Sequence, residues 1–307
     1  MRIARRSIVL GLFAKAWSQD QPTFSADVNV VSILATVRDK GGRIVKDLNI
    51  EDFVLFEDGA PQKIRYFSRE TDLPLTVGLL VDTSRSQIGV LRQEGRASWT
   101  FLEEVLRPDR DQAFVAHFDE RVEILQGLTS SRKELAEALR RLSVPGQEAT
   151  LIYSAIRECA DGVMRRQPGR KAFILLTDGV AYRDDTSIGT AIEFAQRADT
   201  ILYSIRFSDP VKTYRPVRAA ILAAAKERGK QDLARMAKET GGEAFEAAHG
   251  RSIDEIYRQI GDALRNQYSL GYTPERAGIS GSSYHKIILR AKDKNLVVKT
   301  REGYYAR

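Results

Sequence analysis

What this chain lacks narrows its chemistry before anything present is considered. One cysteine, Cys159, in 307 residues excludes an internal disulfide framework and any multi-cysteine zinc site. The three histidines, His117, His249 and His285, stand far apart in sequence and argue against a histidine-based metal site. After the first residues, no apolar run approaches the roughly 20 residues that a membrane-spanning helix needs. GxSxG, GxxxxGKS, GxGxxG and HExxH motifs are all missing, and no nucleophile has an evident base, so the sequence points away from an enzyme. Hydrophobic residues at 43% and charged residues at 29% are ordinary for a folded protein and exclude collagen-like, low-complexity and wholly disordered chains. The length suits one large domain, or one domain with a smaller companion.

The net charge of +7 invites a nucleic-acid reading until the basic residues are located. Residues 1–18 hold Arg2, Arg5, Arg6 and Lys15 and no acid, so four of the 48 basic residues lie there and the remaining 44 face 41 acids. Basic MRIARR followed by apolar Ser7–Ala14, with Ala16-Trp17-Ser18 behind, reads as a secretory signal cut near Ser18. The apolar run stops at Lys15, too short to span a bilayer, and no cysteine near the cleavage point supports a lipid anchor. The expectation is a secreted or periplasmic chain with no membrane span in its mature form and no nucleic-acid partner. The basic stretch Lys212–Lys230 reads as an exposed insertion, since Tyr214 is its one aromatic and its charges are not interleaved with aromatics in the manner of nucleic-acid binders.

Along the chain the texture changes twice. Asp27–Val37, Phe53–Phe56 and Ile64–Phe67 are short strand-like runs separated by Asp39-Lys40-Gly41-Gly42 and Glu57-Asp58-Gly59 turns. From Leu73 a nearly continuous apolar run marks a strand buried on both faces. Strand patterns at Leu75–Val81, Gln112–Phe118, Lys171–Thr177 and Thr200–Phe207 then alternate with helical patterns near 87–106, 131–142, 151–165, 188–198, 231–239 and 252–265. Arg121–Gln126 reads as a further strand at a sheet edge. This alternation predicts an α/β, doubly wound, mostly parallel sheet with helices on both faces. After Leu264 strands return at Tyr268–Tyr272, His285–Arg290 and Leu296–Thr300, with Gly278–Ser283 as a flexible loop. Neither terminal set of about three strands is large enough to stand alone, so the two are expected to form one β-sandwich into which the α/β domain is inserted. The expected division is 1–18 signal peptide, 19–72 N-terminal strands, 73–265 α/β domain and 266–307 C-terminal strands.

The chemistry gathers where apolar strands end. The first buried strand runs into Asp82-Thr83-Ser84-Arg85-Ser86, at the carboxyl edge where open α/β sheets collect ligands. A carboxylate and two hydroxyls at i, i+2 and i+4 are hard oxygen donors, suited to Mg²⁺, Mn²⁺ or Ca²⁺. A second apolar strand, FILLTD, ends in Asp178, and Thr150 opens an amphipathic helix between them. Taken singly, each residue is explained as a turn former or helix cap, with Ser86 a cap for the helix at 87–106. Cys159 shares a helical face with Ile152, Ala155 and Ile156 and reads as core; His117 reads as structural, and Asp119-Glu120 as a solvated loop.

Taken together, Asp82-x-Ser84-x-Ser86, Thr150 and Asp178 resemble the metal-ion-dependent adhesion site of von Willebrand factor type A domains, a Rossmann-like fold, over about 73–265. The flanking EDFVLFEDGAPQKI, QYSLGYTPE and REGYYAR look like an exported bacterial subfamily of von Willebrand factor A-related proteins abundant in acidobacteria. The resemblance implies that Ser84, Ser86 and Thr150 bind a divalent cation, Mg²⁺ foremost, with Asp82 and Asp178 bound directly or through water. It also implies a protein partner that presents an Asp or Glu side chain to the ion; Arg85 and Arg183 stand in the flanking loops and read first as solvated side chains, with a greeting for an acidic partner as the alternative. An envelope-scaffold role with a purely structural ion, and a magnesium-dependent hydrolase or phosphotransferase, are the alternatives. The chain departs from the family where glycines usually precede the threonine and an aspartate follows it: here stand Gln147-Glu148-Ala149 and Ser154.

Overall fold

A computed structural model describes residues 30–69, 73–144, 149–207, 216–247, 252–274 and 283–306. The expected export signal, Gln147-Glu148, Lys212–Arg215 and most of the Gly278–Ser283 loop lie outside the described residues.

Four strands come from the N-terminal part: β1 (Val31–Arg38), β2 (Phe53–Glu57), β3 (Ala60–Gln62) and β4 (Tyr66–Ser68). The central part holds β5 (Leu75–Asp82), α1 (Leu91–Val105), β6 (Gln112–Phe118), β7 (Val122–Thr129), α2 (Arg132–Arg141), α3 (Ile152–Gly162), β8 (Arg170–Thr177), α4 (Ile188–Arg197), β9 (Thr200–Phe207), α5 (Pro216–Thr240), β10 (Ala244–Ala247) and α6 (Ile253–Arg265). The C-terminal part adds β11 (Tyr268–Tyr272), β12 (Tyr284–Ala291), β13 (Val297–Lys299) and β14 (Gly303–Tyr305).

The central sheet runs β10-β9-β8-β5-β6-β7. All its pairings are parallel except β6 with β7, the predicted edge strand. Every residue of β5 and β8 is buried, because helices cover both faces. Side chains from α1, α2 and α6 fill one face, and those from α3, α4 and α5 the other. Gly78 makes the middle possible: a Cβ there would come within 2.5 Å of the Phe114 ring. The absent side chain lets Phe114 and Phe173 meet edge to face at 6.4 Å.

The two ends of the chain interleave as expected, in two four-stranded sheets, β13-β1-β11-β4 and β14-β12-β2-β3. Each end contributes four short strands instead of about three. The 60–62 strand escaped the reading because Pro61 breaks its pattern, although proline is tolerated on the sheet edge it occupies. Ile33, Leu55, Leu270 and Leu289 face one another in the interior between the sheets. Tyr268 of β11 packs on Phe53 and Phe67 of the N-terminal strands, and its hydroxyl accepts from Leu48 N–H at 3.1 Å and donates to Val45 C=O at 2.9 Å.

Two helix boundaries move. The helix expected at 87–106 begins at Leu91, because Arg85–Gln87 forms a 3-10 turn and residues 88–90 a further turn. The helix expected at 231–239 begins at Pro216, so residues 216–230 of the supposed insertion are helical. Pro216 is at home in a first helical turn, and alanines 219, 220 and 223–225 favour helix without requiring burial. Val217 and Ile221 there are 75% and 65% exposed, so no periodic buried stripe advertised the helix.

The α/β domain joins the sandwich at the amino edge of its sheet. Buried Arg170, at the start of β8, donates to the carbonyls of Leu264 and Gln267, each at 3.1 Å, fixing the passage from α6 into β11. Replacing Tyr268 with Phe should lower unfolding stability in urea by about 1–2 kcal/mol, because two backbone groups lose their partner. An unchanged midpoint would remove this tyrosine from the sandwich's supports.

Candidate functional site

Parallel strands β5 and β8 carry Asp82 and Asp178 to the carboxyl edge, opposite the sandwich junction. Backbone bonds stitch the loops there. Thr83 N–H donates to Phe118 C=O at 3.0 Å, Leu151 N–H to Asp119 C=O at 3.0 Å, and Thr150 and Tyr182 exchange bonds of 2.9 and 3.1 Å. All five predicted residues therefore stand on one edge.

Asp82 is wholly buried; one carboxylate oxygen accepts from Ser84 N–H at 2.9 Å, and the other from the Thr177 hydroxyl at 2.5 Å. The Ser84 and Ser86 hydroxyls lie 3.1 Å apart, with Ser84 buried and Ser86 exposed, so the pair leads from the interior to the surface. Asp178 is 6% exposed and accepts from Val180 N–H at 3.0 Å. Gly179 turns the chain with φ of +86°, and a Cβ there would come within about 3 Å of Gly229 of α5 and Leu233. Thr150 is 7% exposed and enters from the segment before α3.

Ser86 does not cap α1: it lies in the 3-10 turn, and Val90 precedes the first helical residue. Asp119 is not solvated but 2% exposed; it accepts from the Thr83 hydroxyl at 3.4 Å and Arg121 N–H at 3.2 Å. Glu120 beside it is exposed. His117 has a structural place, 2.9 Å from the Thr83 hydroxyl. Cys159 is core, and burial pushes its thiol up to about 12. Where related domains carry an aspartate, Ser154 donates to Asp184 from the next loop at 2.7 Å. Asp184 also accepts from the Tyr153 and Ser154 N–H groups, and so satisfies the first backbone donors of α3.

One residue at the site escaped the sequence reading. Glu94 of α1 is wholly buried beneath the edge, with one carboxyl oxygen unpartnered. The Gln87 amide, oriented to satisfy both its ends, donates to the other oxygen at 3.3 Å and accepts from Asp178 N–H at 3.1 Å. The signal was available: Glu94 falls on the stripe of Leu91, Ala97, Ser98 and Phe101, where an acid is out of place.

Negative charge dominates this edge. Burial, then the Asp178 charge, raise Asp82 to about 7. Burial, then the charges of Asp82 and Asp178, raise Glu94 to about 9. Among the described residues none of the three acids forms an ion pair, although arginines 85 and 183 lie exposed nearby. Buried carboxylates without a counter-charge, beside converging hydroxyls, are a donor set that fits a hard divalent cation. Around the mouth Ile88 and Tyr182 are 60% and 50% exposed, and the Arg183 guanidinium lies 5.2 Å from the Tyr182 ring centre.

The von Willebrand factor type A domain family matches residues 77–259, and the chain belongs to that family. Solved structures repeat the fold at low identity. A proximal thread matrix protein from the mussel byssus, described with a zinc-occupied MIDAS motif, is 16% identical, with a TM-score of 0.50 over 68% of this chain and 49% of its own. An aerotolerance-related membrane protein of Bacteroides fragilis is 14% identical, with a TM-score of 0.48 over 62% and 98%. The vWF domain of the pilus tip protein Mfa5 of Porphyromonas gingivalis is 12% identical, with a TM-score of 0.47 over 63% and 97%. No curated protein sequence matches significantly.

The raised acids set a pH dependence for chelator-treated protein. A carboxyl whose pKa is higher folded than unfolded keeps its proton in the folded state, so its stability contribution is full below the unfolded value and is lost as pH rises towards the folded one. Denaturation should therefore show stability falling from pH 5 to pH 9, each group adding a slope of at most about 1.4 kcal/mol per pH unit. Glu94→Gln should flatten the part above pH 7. An unchanged slope in that variant would remove Glu94 from the buried charge.

Proposed function

We propose that this protein is an exported binding module that holds a divalent cation, Mg²⁺ foremost, at Asp82, Ser84, Ser86, Thr150 and Asp178, and captures an acidic side chain of a protein partner through it. The observation that carries the reading is the buried Asp82–Asp178 pair beside the Ser84 and Ser86 hydroxyls, with no basic side chain paired to it among the described residues. The family match, and the zinc-occupied MIDAS motif of the mussel protein, support a metal-dependent protein-interaction module.

The bound cation would supply electrostatic attraction for an anionic ligand. Two carboxylates neutralise a divalent charge, and the hydroxyls add none, so an acidic group can complete the coordination. The nearby N-terminus of α3 also favours an incoming anion over a bare cation. Exposed Ile88 and Tyr182 give the partner apolar surface beside the ion, and Arg183 gives it a positive rim. In this reading residues 1–18 are a removable signal, 19–72 and 266–307 the sandwich, and 73–265 the binding domain, working outside the cytoplasm as a secreted or periplasmic protein without catalysis.

Calorimetric titration with Mg²⁺ and Mn²⁺ after chelator treatment should show one saturable site, abolished by Asp82→Ala. Affinity should strengthen from pH 6 to pH 8, because Asp82 must release its proton to bind. Absence of binding by folded wild-type protein would refute the ion site. Partner capture that persists in chelator would favour the scaffold role.

A further inference from the structure

We propose that Glu57, Asp58 and His285 form a second metal site, for zinc, within the β-sandwich and separate from the Asp82 edge. No second histidine is needed, because the fold brings one, His285, to two carboxylates from the other end of the chain. β2 pairs antiparallel with β12, which brings the turn after Glu57 beside His285. His285 Nδ1 lies 2.8 Å from an Asp58 carboxylate oxygen and 3.7 Å from one of Glu57, and one ligand atom from each residue falls within 4.8 Å of the others. Tetrahedral zinc with bonds of about 2.0–2.1 Å holds its ligand atoms about 3.4 Å apart, so small side-chain movements bring these three to it.

The neighbours aim the ligands. Lys286 N–H holds one Asp58 oxygen at 2.8 Å and leaves the other towards the imidazole. Tyr304 donates its hydroxyl to Glu57 at 2.6 Å, and its ring stacks on His285 at 5.3 Å between centres. Outer contacts of this kind fix metal ligands before the ion arrives. Two carboxylates with a neutral imidazole balance a divalent charge, and a nitrogen donor favours zinc, whereas the Asp82 set is all oxygen. Asp58 is 51% exposed, which leaves the fourth position to water or a partner group.

Behind the ligands the interior is closed by a second tyrosine. The Tyr272 side chain is wholly buried, and its hydroxyl sits beside Tyr304, whose own hydroxyl holds Glu57. A proton shared by His285 and Asp58 explains their 2.8 Å contact but leaves Glu57, 3.7 Å from the same nitrogen, without a role.

Zinc binding should be measured on the chelator-treated full chain by calorimetry and by metal content after dialysis, in Asp82→Ala protein to silence the first site. That protein should bind one zinc per chain. Adding Asp58→Asn should weaken it more than about 100-fold, beyond the roughly 10–100-fold cost of an outer-shell loss. Asparagine tolerates the φ of +49° at position 58, so the turn survives, and circular dichroism verifies the fold. His285→Gln should do the same by removing the nitrogen. No zinc bound by folded Asp82→Ala protein, or equal affinity with Asp58→Asn added, would overturn the site.

Discussion

Uncompensated negative charge, buried at the carboxyl edge of the central sheet, is the constraint on which the rest of this molecule turns. Asp82, Asp178 and Glu94 share a region that water scarcely reaches, and burial with mutual repulsion drives two of them to hold protons near neutrality. Keeping like charges together costs stability, so the fold must hold them by other means. It does so by over-determining the surrounding loops. The Thr177 hydroxyl holds Asp82, Gln87 spans Glu94 and Asp178, and Asp119 ties the loop after β6 to Thr83 and Leu151. A divalent cation held there, as proposed, would relieve the strain where it is greatest and couple ion binding to stability and to proton release.

The remaining architecture keeps that edge rigid and open. β5 and β8, buried along their whole length, cannot shift register without exposing apolar side chains, so the two aspartates arrive at fixed heights. The sandwich joins at the far end of the same strands, where Arg170 and Asp111 gather the ends of α6 and β5, and it leaves the carboxyl edge clear. That arrangement suits a surface that meets another protein.

The sequence revealed most where a residue's chemistry is local. Unbroken apolar runs gave β5 and β8, alternation gave the doubly wound sheet, and the DxSxS spacing at a strand end gave the carboxyl-edge cluster. Features set by tertiary contact were harder to read. Glu94 sits on an apolar stripe, and only packing shows which neighbours it meets. Asp119 follows a strand as a solvated loop residue would, yet its loop folds inward onto Thr83. Asp184 reaches Ser154 and the start of α3 from another loop, which spacing around Ser154 cannot reveal. The start of α5 rests on alanine-rich propensity without a buried face, and Glu57, Asp58 and His285 meet only because opposite ends of the chain share a sheet.

The central claim is that the five oxygen-bearing residues at the sheet edge surround one cation. Crystals grown with Mn²⁺, examined by anomalous scattering, test it most directly. The account predicts a peak between Asp82 and Asp178 within about 2.0–2.6 Å of the Ser84 and Ser86 hydroxyls, as hard cations bind oxygen. A well-ordered edge with no peak at saturating Mn²⁺, or Arg85 or Arg183 turned in to neutralise the aspartates, would contradict it.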